Sequence, residues 1–196
     1  MGQTGQICCS CRRGNRAVLN HIRLTRALLR NPKAVGALVP SSRYLAAQMV
    51  KLLPLETEVV VEFGAGTGPM TKALLDTGFS PDNLYVFELS GQLCLHLKNR
   101  FPAVHVINAS AADITDLDRK VCAIISSLPL KSIPVATVSE ILAAAQKKLQ
   151  PGGYFVQFTY DLIKHHEAFD AGFRHVSKHV VWANLPPARI DIFQKI

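Results

Sequence analysis

The stretch Val59–Thr71, "VVVEFGAGTGPMT", holds the change of texture on which the fold turns. "EVVVEFG" (58–64) reads as a short buried strand, since strands covered on both faces lose the alternation of apolar and polar residues. Gly64, Gly66 and Gly68 follow, and "PMTKALLDTG" then reads as a helix with a glycine stop. A glycine-rich strand-to-helix turn lets backbone approach a ligand closely at the carboxyl edge of an open α/β sheet. The spacing matters. A dinucleotide fingerprint needs G-x-G-x-x-G, but Pro69 stands where its last glycine belongs and the third glycine arrives one residue early.

Outward from this turn, apolar runs alternate with helical ones. "NLYVFEL" (83–89), "VHVINA" (104–109), "VCAIISS" (121–127) and "GYFVQFTY" (153–160) read as strands. "GQLCLHLKNR" (91–100) and "VATVSEILAAAQKKLQ" (135–150) read as helices, the second closed by "PGG". "HVSKHVVWAN" and "ARIDIFQKI", joined through Leu185-Pro186-Pro187, read as a hairpin at a sheet edge. The alternation predicts an α/β, doubly wound, mostly parallel sheet. Upstream, Ser41 or Ser42 caps a helix that ends at Pro54, and an earlier helix from about Arg16 to Asn31 stops at Pro32.

The chain has 196 residues, 48% apolar and 18% charged, enough for one domain with a full core. No apolar run reaches the length of a membrane span, and the first residues lack the apolar core of a secretory signal. A cytoplasmic address is expected, with reduced cysteines. Cys8, Cys9 and Cys11 cluster, but no second ligand pair at zinc-site spacing accompanies them, so no metal is expected. Charge is divided unevenly. Residues 1–55 hold nine Lys and Arg and no Asp or Glu, so the net +8 of the whole chain belongs to its front. On this basis residues 1–39 form a cationic amphipathic segment and 40–196 the folded domain. On its own that segment has three readings: an anchor to an anionic membrane, a helix packed on the sheet with its arginines in water, or a binder of RNA phosphates.

Three acids stand at the ends of successive predicted strands. Glu62 precedes the first glycine by two residues, Glu88 lies 22 residues beyond Gly66, and Asp113 follows the third strand. This set, with E-x-G-x-G-x-G, resembles the class I S-adenosylmethionine-dependent methyltransferases. The resemblance implies a Rossmann-like fold with a seven-stranded sheet, helices on both faces and an antiparallel C-terminal strand. It also implies a cofactor site of Glu62, Phe63, Gly64, Ala65, Gly66, Gly68, Glu88, Leu89, Ser90, Ala112, Asp113 and Ser126. Glu62 would face the methionine amino group, Glu88 the ribose hydroxyls, and Asp113 the adenine, with Ala112 against its ring. The product is S-adenosyl-L-homocysteine.

"SSLP" (126–129) resembles the amine-positioning motif of amino-methylating enzymes such as the ribosomal RNA adenine dimethyltransferases. There, Ser126 and the Leu128 carbonyl are candidates to accept hydrogen bonds from a target N–H. The aromatic that would stack on an adenine is replaced by Leu130. "VPSSR", "SSLPL" and "NLPPAR", in this order, resemble the bacterial phospholipid N-methyltransferases. That resemblance implies a monomeric enzyme on the inner face of the cell membrane, with no nucleic-acid partner. Its phospholipid substrate would be phosphatidylethanolamine, methylated stepwise to phosphatidylcholine. The alternatives are another amino lipid, such as ornithine lipid, or RNA adenine. The front segment then reads as a membrane anchor through Arg16, Arg23, Arg26, Arg30 and Lys33. It also covers the cofactor, with Ser41 and Ser42 touching it. An amine near pKa 10.4 must lose a proton before attack. Tyr160, His165, His166 or the lipid phosphate are candidate acceptors, Tyr160 being preferred as a site-lining residue. Tyr44, Phe158, Tyr160 and Trp182 are available to face a methylated cation.

Overall fold

The computed structural model describes residues 43–54 and 57–196. The expected first helix, Ser41, Ser42 and the five candidate membrane-binding cations lie outside the described residues.

Seven strands form one sheet: β1 (Val60–Phe63), β2 (Leu84–Phe87), β3 (His105–Ile107), β4 (Val121–Ser126), β5 (Leu149–Thr159), β6 (Phe173–Val181) and β7 (Ala188–Lys195). Their order is β3-β2-β1-β4-β5-β7-β6. Pairs from β3 through β5 are parallel, while β7 runs antiparallel to both β5 and β6. This is the architecture of a Rossmann-like class I methyltransferase, with its reversed C-terminal strand. The hairpin expected at the sheet edge is there, but β7 lies inside it and β6 forms the rim.

Alternation along the strands divides two cores. Val60, Leu84, Val86, Ile125 and Val156 face one side, and Val61, Tyr85, Phe87, Ile124 and Phe155 the other. The first side is covered by α1 (Arg43–Lys51), α2 (Pro69–Asp76) and α3 (Gly91–Arg100). On the second lies α4 (Val135–Lys148), which buries Val138, Ile141, Leu142 and Ala145 at the i, i+3, i+4, i+7 spacing of one helical stripe. The other connections on that side are 3-10 turns, Ala111–Asp116, Leu130–Ser132 and Glu167–Ala171. Polar Ser110, Asp113 and Asp116 in the first of these favour turn geometry over a helix. Among the described residues, no helix is long and apolar enough to cross a membrane.

The β5 strand begins at Leu149, four residues before the expected start, and "PGG" lies within it rather than closing the helix. Gly153 explains the geometry. A Cβ there would stand 3.0 Å from the Cys122 carbonyl oxygen of β4, so glycine lets the two strands come together at an irregular register.

Candidate active site

The first turn is built from backbone. Gly64 and Gly66 have φ of 70° and 58°, the left-handed region that favours glycine. A Cβ on Gly64 would lie 2.6 Å from Leu128 Cδ2, so this position is also reserved by the loop after β4. A Cβ on Gly66 would meet nothing within 4 Å: the turn opens onto free space there. Gly68 is packed instead, with Phe101 Cε2 2.5 Å from its notional Cβ. Arg100, at the end of α3, donates from Nη1 to the Thr67 carbonyl at 2.8 Å and braces the turn from outside.

Two carboxylates organise the space. Glu88 is buried, accepting from Gly66 N–H (3.0 Å) through one oxygen and from Ser90 N–H (2.8 Å) through the other. Burial raises its pKa, opposed by those backbone donors. Ser90 Oγ in turn caps α3 by accepting from Leu93 N–H at 3.4 Å, and Leu89 is exposed beside it. Glu62 is fully buried. Thr71 Oγ1 donates to its Oε2 at 2.6 Å, while Oε1 has no hydrogen-bond partner. Burial pushes the Glu62 carboxyl up to about 7, and the Thr71 bond only partly counters this.

Phe63 lies in the second core and Ala65 in the first. Asp113 closes a reciprocal cap: its Oδ2 accepts from Ser110 N–H at 2.9 Å, and Ser110 Oγ from Ala112 N–H at 3.2 Å. Its carboxyl is exposed, and Ala112 is half-buried at the start of the same turn. The strand ends therefore bring Glu62, Glu88, the glycines and Ser126 to one edge of the sheet, with the Ala112–Asp113 turn at the end of β3.

Beyond β4, Ser126 is fully buried and its Oγ accepts from Leu128 N–H at 3.3 Å. It shares the second face with Phe63, its register partner. Gln157, opposite Ser126 on β5, donates from Nε2 to the Leu128 carbonyl (3.0 Å) and to Phe158 O (2.6 Å). Its Oε1 is buried without a partner. The sequence reading missed Gln157, whose signal was a polar residue inside the apolar run of β5. It also missed Asn108, which donates to the Glu88 and Leu89 carbonyls at 2.9 and 3.1 Å and fastens the loop after β2.

The aromatic candidates separate. Phe158 is core, with Tyr160 edge-on to it at 5.6 Å. Tyr44 and Trp182 are exposed. Burial raises the Tyr160 pKa despite a hydrogen bond with the Asn184 side chain, so its hydroxyl makes a poor base. The histidines serve their own loop. His166 Nδ1 accepts from Ala168 N–H at 3.2 Å, while His165 bonds Asp170 at 2.9 Å and stacks on His175.

Residues 60–153 match the family model described as a methyltransferase domain. An ornithine lipid N-methyltransferase of Singulisphaera acidiphila is 29% identical over 79% of this chain and 85% of its own length. Among solved structures, TrmN of Thermus thermophilus shares the fold at TM-score 0.64 and 18% identity over 82% of this chain, which spans about half (51%) of TrmN. NodS, an N-methyltransferase of Bradyrhizobium japonicum WM9 solved with S-adenosyl-L-homocysteine, superposes at TM-score 0.63 and 13% identity over 87% of this chain and 97% of its own.

The fold is that of a class I methyltransferase domain. Its cofactor is S-adenosylmethionine, and this chain's residues fit that group: a buried acceptor oxygen without a partner on Glu62 suits its ammonium, and the open space over Gly66 leaves room for its body.

Proposed function

We propose that this protein methylates the amine of an amino lipid, and that an ornithine-lipid type of head group is favoured. The observation that carries the reading is the Leu128 carbonyl. Gln157 holds it at the carboxyl end of β4, and the Leu128 side chain rests on Gly64 of the cofactor turn. This acceptor lies against the cofactor cradle; it already takes Gln157 Nε2 (3.0 Å) and the Leu130 N–H (2.9 Å), so a substrate N–H would bind it in place of the Leu130 bond. Ornithine lipid is preferred because the curated relative carries that name. Phosphatidylethanolamine, the first expectation from the motifs, is the second reading, supported by "SSLPL" and "NLPPAR".

When bound, S-adenosylmethionine supplies an electrophilic methyl group on a sulfonium. The chain's part is positioning. Leu128 O accepts from the amine and turns its lone pair toward the cradle. Tyr160, half-buried and edge-on to the core residue Phe158, borders the amine with apolar surface. The proton leaves to water or to the anionic part of the head group, since the Tyr160 hydroxyl is raised and His166 Nδ1 is engaged. The enzyme works as a monomer at the cytoplasmic face of the membrane, with residues 1–39 on the anionic surface and no nucleic acid involved.

The test offers a labelled methyl donor with ornithine lipid or phosphatidylethanolamine in mixed micelles, and total RNA in parallel. Label in ornithine lipid supports the first reading. Label in phosphatidylethanolamine alone selects the second. Label in RNA and in no lipid refutes both.

A further inference from the structure

Large apolar side chains crowd the edge of the sheet at which the site opens. Ile163 is 84% exposed, Trp182 72% and Leu185 85%. All three lie on the connections that follow β5 and β6. The register pairs Thr159 with Arg189 and Val181 with Ala188, so both connections leave the sheet side by side. The hydrogen bond between Tyr160 and Asn184 ties them together. Val135, 67% exposed, opens α4 at the same edge.

These tips are held outward by built turns. Asp161 Oδ1 accepts from Ile163 N–H (2.8 Å) and Lys164 N–H (3.1 Å), and Lys131 pairs with its other oxygen. Asn184 Nδ2 donates to Pro186 O at 2.6 Å and folds the chain around Leu185. Hydrogen bonds thus fix the backbone, yet among the described residues these side chains join neither apolar core. Exposed Lys164 stands beside them, with exposed Lys131 paired to Asp161.

We infer that the 160–166 and 182–187 loops form a bilayer-docking edge, with Ile163, Trp182 and Leu185 inserted among anionic head groups and the active site facing the membrane. The chemistry suits that occupant: indole and aliphatic tips settle at the head-group level, and Lys164 meets lipid phosphates. Separate tips rimmed by polar backbone match a soft interface better than the flat dry face of a second copy. The inference rests on the amino-lipid reading for its direction, since docking this edge would deliver a head group to Leu128 without the lipid leaving the bilayer.

Trp182 is the chain's one tryptophan, so its emission reports on this edge alone. The full chain is mixed with vesicles of phosphatidylethanolamine and phosphatidylglycerol brominated near the head group. Expected are a blue shift and bromine quenching of Trp182. Ile163→Ser and Leu185→Ser should each weaken vesicle affinity roughly tenfold, with S-adenosylhomocysteine affinity unchanged as the check on folding. Vesicle binding with Trp182 unshifted and unquenched would overturn the inference. So would no vesicle binding, or a blue shift that grows with protein concentration in the absence of vesicles. Methylation of a short-chain amino lipid, dispersed as monomers, reads the proposed function separately. Insertion without lipid methylation keeps the docking edge and removes the substrate reading; methylation without insertion does the reverse.

Discussion

At the carboxyl ends of β1 and β2 the chain works mainly through backbone. Gly64 and Gly66 bend it, Gly66 N–H and Ser90 N–H hold Glu88, and Asn108 and Arg100 fasten the turns by their carbonyls. At the ends of β4, β5 and β6 it works through side chains: Gln157 on the Leu128 carbonyl, Asn184 on Pro186 O, Asp161 on two amides. A backbone cradle tolerates change in neighbouring side chains, whereas a side-chain scaffold changes with each substitution. The match to the methyltransferase domain model, residues 60–153, includes the first half and reaches only the start of β5 in the second.

The sharpest way to break that contrast is Glu88→Ala. It removes the anchor of Gly66 N–H and a charged acceptor in one step, so S-adenosylhomocysteine affinity should fall roughly thousandfold by calorimetry. An unchanged affinity would place the cofactor elsewhere.

Glu62→Gln probes the same half by pH. The Glu62 carboxyl is raised to about 7 from an ordinary 4.5, so its contribution to stability is full below pH 4.5 and lost as pH rises through 7. For the ligand-free protein the loss is about 3 kcal/mol. The Gln variant should therefore melt above the wild type at pH 8, with the gap closing near pH 4, and bind the cofactor more weakly. A gap that is the same at both pH values would contradict the burial argument.

Gly64→Ala tests the point where the halves touch. The added methyl meets both an unfavourable φ and Leu128, at a combined cost of about 2 kcal/mol. Turnover should fall roughly thirtyfold and cofactor affinity less, because Leu128 is what must move. Equal losses would mean that the contact serves the cofactor alone. Gln157→Met, the smallest effect, should lower kcat roughly tenfold with S-adenosylhomocysteine affinity within about twofold; a drop in that affinity would erase the distinction between the halves.

Legibility in the sequence follows the same divide. Glu62, the glycines and Glu88 are local in sequence or sit at a strand end, and the buried apolar runs announce β1 to β5 through texture alone. Gln157 could not be assigned a role from its neighbours, since its partner Leu128 is 29 residues away and meets it only through the β4–β5 register. Asn108 holds a loop 20 residues upstream for the same reason. His165 and His166 drew attention as a pair of titratable groups, yet the bonds that occupy them come from Asp170 and a loop amide. Trp182 looked like a cage residue because composition shows an aromatic and not which way it faces.

The reversal of β7 has a geometric dividend. Had that strand run with its neighbours, the chain would have needed a long return path behind the sheet, and the tight turn at 182–187 would not exist. Running it backward brings a second, short and stiff projection beside the one after β5. Two rigid prongs set side by side fix a tilt as well as a distance, so a molecule resting on them would present its opening to a plane at one angle only.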